Sequence, residues 1–293
     1  MQTIHKTIVG VIAIIVAVSV TVAAQWPSYP TPGVPRTADG KPNLDAPTPR
    51  TPDGKVDFSG IWNRAGGGGG GRGRGGPPAP TTTADGIPLS TFGEVAGRGY
   101  QLPIQPWAAE LKKKRMADNN KDNPDVWCLP IGLMQYHNHP QPSQIVQSKN
   151  IMLITYESNY GLRYVYLDGR PAPNNDPQPW WFGYSRGRWE GNDTLVVETT
   201  NFNSEERAAW HDVNGTPWSD ALKMTERFTR PTFGLLQVDV TIDDPKVFTK
   251  PFTVRVYRNL LVDQEMIEFI CNENEQSTDH IEKPNYTQTP PQK

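Results

Sequence analysis

Three groups of residues in this sequence have the types and spacing to do chemistry. The first is Tyr136-His137-Asn138-His139-Pro140. A His-x-His pair in extended chain puts both imidazoles on one side, which suits a divalent metal ion held by His137 and His139. Pro140 biases His139 towards extended backbone and supports that geometry. The plainer alternative is a loop whose histidines bond to backbone. The second group is Trp210-His211-Asp212, followed by Val213-Asn214-Gly215. A histidine titrates close to working pH, so one held by a carboxylate serves as general acid or base. Adjacent residues rarely face each other, so Asp212 is also suited to shaping the Asn214-Gly215 turn. The carboxylate partner of His211 would then be Glu157 or Glu226.

The third group is the carboxylates on strand-like segments, Glu157, Glu226 and Glu268. Glu226 alternates in phase with Met224 and Phe228 and should point inward with them. An isolated buried charge is costly, so an inward glutamate needs a partner or a function. Arg163, Arg186 or Arg188 could form a structural ion pair with it. Tyr156 and Tyr184 complete the set as proton donors to oxygen.

No Gly-x-Ser-x-Gly elbow, dinucleotide fingerprint, Cys-x-x-Cys pair or calcium loop occurs. The glycine run at 66–76 lacks the Gly-Lys-Ser/Thr ending of a phosphate loop. It reads as part of a flexible insertion over 66–80. Chemistry at the three groups therefore requires no organic cofactor, and a divalent metal at His137 and His139 is the one exception.

The elements that must position these residues are strands. After Pro142 the apolar residues recur with period two, over 151–157, 162–167, 182–189, 194–200, 222–229, 235–242, 252–256 and 266–271. Residues 57–62 form a first strand and residues 107–116 one short helix of strong formers. Hairpin-scale joins imply a mainly β chain, an antiparallel meander that curls and closes into a barrel. A β-sandwich is the alternative. A barrel of about eight strands has room for one small ligand.

Residues 174–203 are the densest stretch. Phe182, Tyr184, Arg186 and Arg188 share one face, and Gly183, Ser185, Gly187 and Trp189 the other. The small face predicts a cavity wall, with Trp180, Trp181, Trp189 and Arg186 touching the ligand.

The chain has 29 basic and 31 acidic residues, a net charge of −2. No strong field points to nucleic acid or an anionic membrane. Residues 1–24 run from charged to apolar to small, the order of a secretory signal cleaved after Ala24. An uncleaved anchor is the alternative. Residues 25–56 read as a Pro-rich linker in which Pro35–Lys41 recurs at Pro49–Lys55, residues 57–275 as a single barrel domain, and residues 276–293 as a polar tail. In an exported chain the two cysteines, Cys128 and Cys271, are expected to form one disulfide; the alternative, a nucleophilic cysteine, needs a basic partner and a reduced state. The expected location is secreted or periplasmic, with no stable membrane insertion after cleavage.

Asp53-Gly54-Lys55 with Asp57-Phe58-Ser59-Gly60-Ile61-Trp62, Cys128-Leu129-Pro130, Asp168-Gly169-Arg170-Pro171, Gly187-Arg188-Trp189-Glu190-Gly191, Thr225-Glu226-Arg227-Phe228 and Asp243-Asp244-Pro245 resemble a largely uncharacterised family of secreted bacterial proteins. The resemblance covers about residues 50–275 and transfers no catalytic residues. Gly60-Ile61-Trp62 is also similar to the first strand of lipocalin-like, calycin-type barrels. The combined expectation is an exported small-molecule enzyme using acid/base chemistry of the lyase, isomerase or hydrolase type. Its substrate would be partly apolar and hydroxylated, its acid or base His211, with Glu226 or Glu157 as partner. The same barrel without turnover would be a ligand-binding protein, and a metal-binding protein through His137 and His139 is the third possibility.

Overall fold

The computed structural model describes residues 29–65, 81–173 and 178–273. The expected signal segment, the Gly-rich insertion and the polar tail lie outside the described residues. Nine strands form a closed barrel: β1 (Gly60–Arg64), β2 (Ser143–Gln147), β3 (Ile151–Tyr156), β4 (Leu162–Tyr166), β5 (Tyr184–Glu190), β6 (Thr194–Thr200), β7 (Lys223–Thr232), β8 (Leu235–Asp243) and β9 (Phe252–Leu261). Each strand pairs with its sequence neighbours, and β9 pairs with β1 to shut the cylinder.

Period two dictates what fills it. On β8, Leu236, Val238, Val240 and Ile242 are buried while Gln237, Asp239 and Thr241 are less so. Met224, Glu226, Phe228 and Arg230 on β7, and Phe252, Val254, Val256 and Arg258 on β9, continue the inward face.

Two features depart from a simple meander. β4 and β5 pair in parallel, Val165 with Ser185 and Tyr166 with Arg186. A parallel pair needs a long return connection, and the stretch of sequence between Tyr166 and Tyr184 supplies that length. Residues 266–271, expected as a strand, are not one. Barrel closure leaves no free edge for them, because β9 already pairs with β8 and β1. The segment is tied down by the disulfide between Cys128 and Cys271, with Cα atoms 5.5 Å apart.

The long β1–β2 connection carries α1 (Pro106–Ala117), the expected helix, and a second one, α2 (Leu133–Asn138). All six residues of α2 are buried. A helix buried on every side lacks the apolar stripe that marks a surface helix, which is why periodicity does not reveal it. Gly132 lets it seat: a Cβ there would lie 2.4 Å from the Trp210 carbonyl oxygen and 2.7 Å from the Trp218 ring.

Residues 35–56 do not run free as a linker. The repeated Thr-x-Asp-Gly forms the same turn twice, Gly40 N–H bonding Thr37 O and Gly54 N–H bonding Thr51 O, with glycine at φ +80°. A third copy closes from Gly86 to Thr83. The segment is held to the barrel by backbone bonds, Phe233 N–H to Ala46 O and Gly234 N–H to Leu44 O, both 2.8 Å. Proline removes donors but leaves these carbonyls available. Residues 29–34 with 262–265 form a separate small unit, linked by Thr31 N–H to Asp263 Oδ1 (2.8 Å) and Asp263 N–H to Thr31 Oγ1 (2.7 Å). Among the described residues no helix is long and apolar enough to cross a membrane.

Candidate functional site

Glu226 points into the barrel, as its phase requires, and is wholly buried. Arg163 from β4 meets it with both ends of its guanidinium: Nη1 donates to Oε1 at 3.0 Å and Nη2 to Oε2. Two further Arg163 donors are used as well, Nε to Ser185 Oγ at 3.0 Å and Nη2 to Thr199 Oγ1 at 2.9 Å. Ser185 and Thr199 face each other across β5 and β6, so the strand register builds this seat. α2 brings the third member, with His137 Nε2 2.7 Å from Glu226 Oε1. Bidentate guanidinium–carboxylate contact backed by further hydrogen bonds is the geometry in which a buried ion pair is tolerated.

Burial pushes the Glu226 carboxyl up, but the Arg163 charge and the hydrogen bonds from His137 and Arg163 outweigh it and hold the group at about 2. Burial lowers the pKa of His137, against the pull of Glu226. At neutral pH the pair is therefore an ionised carboxylate and a neutral imidazole. An ionised carboxylate only accepts, so Nε2 carries the proton and Nδ1 carries a lone pair. Nδ1 has no partner and is buried.

Tyr156, at the end of β3, borders this array: its ring stacks on Tyr136 of α2 at 4.1 Å, and burial raises its pKa. Tyr136 Oη is buried without a partner, as is Oγ of Ser143, the residue opposite Tyr156 on β2. Arg258, on the inward face of β9, donates from Nη2 to Trp62 O at 2.8 Å, and its Nε is unpartnered. Arg258 and Arg163 both act electrostatically on His137 and Tyr156. α2 and the inward faces of β2 and β9 thus carry a lone-pair nitrogen, two hydroxyls and a guanidinium N–H without a partner.

The expected site residues are placed as follows. His211 is buried elsewhere, its ring 5.2 Å from Trp218 and 6.1 Å from Phe248, with Nε2 unpartnered; it makes no bond to Glu226 or Glu157. Burial lowers its pKa to about 3, the Lys112 charge adds to the shift, and no carboxylate opposes it as Glu226 does at His137. Asp212 shapes the following turn, accepting from Thr216 N–H at 3.0 Å and Thr216 Oγ1 at 2.7 Å. Glu157 accepts from Ile267 N–H at 3.2 Å. Glu268 is exposed and off the strands.

The His-x-His geometry does not form. His137 belongs to α2, whose turn directs it to Glu226, while His139 follows in extended chain and lies 3.5 Å from Asp125 Oδ2. Among the described residues no group of three His, Cys, Asp or Glu could hold a metal ion.

The room expected beside Ser185 and Gly187 is taken. A Cβ on Gly187 would meet Leu167, Leu195 and Val165, the nearest at 2.5 Å, and Arg163 lies over Ser185. Trp189 stacks on Phe58 at 5.9 Å. Trp180 is exposed and, with Tyr166, flanks Tyr184. Arg207 sits over Trp181 at 5.9 Å, and Arg186 is 3.8 Å from Glu198. These residues do not converge with Glu226. A surface cleft of about 460 Å³ between α1 and residues 204–220 is lined by Trp107, Arg115, Trp218 and Asp220. Its polar groups are engaged: Arg115 donates to the carbonyls of Ala209, Gly215 and Glu206, and Asp220 pairs with Lys246. No family model, no curated protein and no solved structure matches the chain.

Proposed function

We propose that this is an exported protein that binds a small molecule where α2 meets the barrel wall, at His137, Tyr136, Ser143 and Arg258. One observation carries the reading: four polar side chains there, His137, Tyr136, Ser143 and Arg258, are almost wholly buried and have atoms without a partner. Buried donors and acceptors left unsatisfied cost about 1–3 kcal/mol each, a penalty that a polar ligand removes. Export is supported by the secretory pattern of residues 1–24 and by the disulfide, which persists in oxidising compartments. The resemblance to secreted bacterial proteins agrees with it.

A second reading adds turnover, and the His137 tautomer favours it. A neutral imidazole fixed by a carboxylate at one nitrogen and bare at the other is arranged to take a proton from a bound O–H or C–H group. That reading keeps acid/base chemistry and assigns it to His137, with Glu226 holding the ring and the Tyr136 hydroxyl as donor. Native mass spectrometry of the protein purified from its natural producer tests the binding proposal. A bound small molecule in the parent, lost in His137→Leu while the far-ultraviolet dichroism is unchanged, is the expected result. Equal occupancy in parent and variant would place the ligand elsewhere. Release of the same molecule chemically unaltered after prolonged incubation would leave binding and remove turnover.

A further inference from the structure

The inside of the barrel carries unequal charge. Among the described residues three buried guanidiniums, Arg163, Arg230 and Arg258, continue the inward faces of their strands, against the single carboxylate of Glu226. Arg163 is neutralised by Glu226. Arg230 is covered by carbonyls, donating from Nε to Phe233 O at 3.0 Å and from Nη1 to Asp57 O, and it lies 4.8 Å above the Trp62 ring. Arg258 has neither arrangement. It is 3% exposed, and among the described residues its one hydrogen bond is to Trp62 O. Among the described residues no ion pair reaches it. Nε is buried and unpartnered, and so is Oγ of Ser143, which faces Trp62 across β1 and β2. Trp62 and Leu260 beside it are buried and apolar, Arg64 stands opposite it on β1, and Tyr156 lies close enough to act on its charge.

A guanidinium out of water with one neutral acceptor is among the costliest groups a core can hold. Its Nε–H and the hydroxyl of Ser143, two strands away on the same inward face, are donors suited to the oxygens of an acid group. We propose that Arg258 with Ser143 is the receptor for the carboxylate of a small molecule whose remaining body is apolar and lies within the barrel. The inference rests on the small-molecule reading above and names the chemical class of the ligand. A monoanion is the smallest charge that balances Arg258, whose cross-strand neighbour Arg64 is the less buried of the two. Tyr156, kept protonated by burial, adds no competing negative charge.

The test compares octanoate, octan-1-ol and acetate as probes of the intact, disulfide-bonded protein by calorimetric titration and thermal melting. Octanoate should bind at least about ten-fold more tightly than octan-1-ol, the discrimination expected of a charge-assisted hydrogen-bonded pair, and acetate should bind weakly. Arg258→Met removes the buried charge while keeping volume. If Arg258 is held for a ligand, the unliganded variant melts above the parent, binds octanol as the parent does and has lost its preference for octanoate. Arg258→Lys, which keeps the charge, should retain part of that preference. Equal binding of octanoate and octanol to the parent would overturn acid recognition and leave the small-molecule reading standing. No binding of any probe would overturn both. An Arg258→Met variant that melts well below the parent would show that the residue is a structural cation, and the proposal would fall.

Discussion

Acidification should unfold this protein through a buried histidine that takes no part in the candidate site. His211 is 1% exposed, and burial lowers its pKa to about 3, against an unfolded value near 6.5. The folded chain therefore refuses a proton that the unfolded chain accepts. The stability this contributes is complete above pH 6.5 and is lost as the pH falls towards 3. The slope in that window is about 1.4 kcal/mol per pH unit for each proton. Between pH 8 and pH 5 His211 alone accounts for about 2 kcal/mol. His137 is shifted in the same direction and adds to the loss. The assay is urea denaturation of parent and His211→Gln at pH 8 and pH 5. The backbone N–H of residue 211 keeps its bond to Thr216 O in both proteins, so the variant changes the ring and not the turn. The parent should lose more stability than the variant on acidification, by about 2 kcal/mol, whatever the variant's stability at pH 8. An unchanged pH difference would refute the reasoning, because it would mean that His211 is protonated as easily folded as unfolded.

Three further outcomes follow from the packing. Glu226→Gln leaves Arg163 buried without a counter-ion and should cost about 3–5 kcal/mol, whereas Arg163→Met with Glu226→Leu should cost less than the sum of the single changes, read by a double-mutant cycle in urea. Reducing the Cys128–Cys271 bond, which spans 143 residues of sequence, should remove up to about 5 kcal/mol on the chain-entropy estimate, measured by denaturation with and without dithiothreitol. Gly132→Ala adds one methyl against the Trp210 carbonyl and the Trp218 ring; overpacking of that kind costs about 1–3 kcal/mol. Its melting temperature should fall with the ordinary negative backbone angle unchanged, which separates the steric cost from backbone strain.

Much of the barrel was legible because its signal is local. Alternation of Leu236, Val238, Val240 and Ile242 with polar residues can bury only one face, and the same rule turned Glu226 inward with Met224 and Phe228. Arg163, in phase with Val165, was among the partners that rule allowed. Arg258 continues the inward face of Phe252, Val254 and Val256, although a charged residue breaks the apolar period there. The disulfide needed only the count of two cysteines in a chain with a secretory start.

What the chain order cannot carry is which histidine reaches Glu226. His211 lies 15 residues before Glu226 and His137 lies 89 before it, yet the distant one makes the bond. The choice belongs to α2, a helix with no amphipathic pattern, seated because Gly132 lacks a side chain against Trp210 and Trp218. The small face of β5 likewise said that something large must come close, without saying what. A free cavity and a well-fitted neighbour demand the same small residues, and only the β4–β5 register assigned the space to Arg163 and Leu167. Periodicity therefore decided which side chains face inward. Only the closure of the barrel around α2 decided which of them meet, because those contacts join residues whose separation along the chain holds no period.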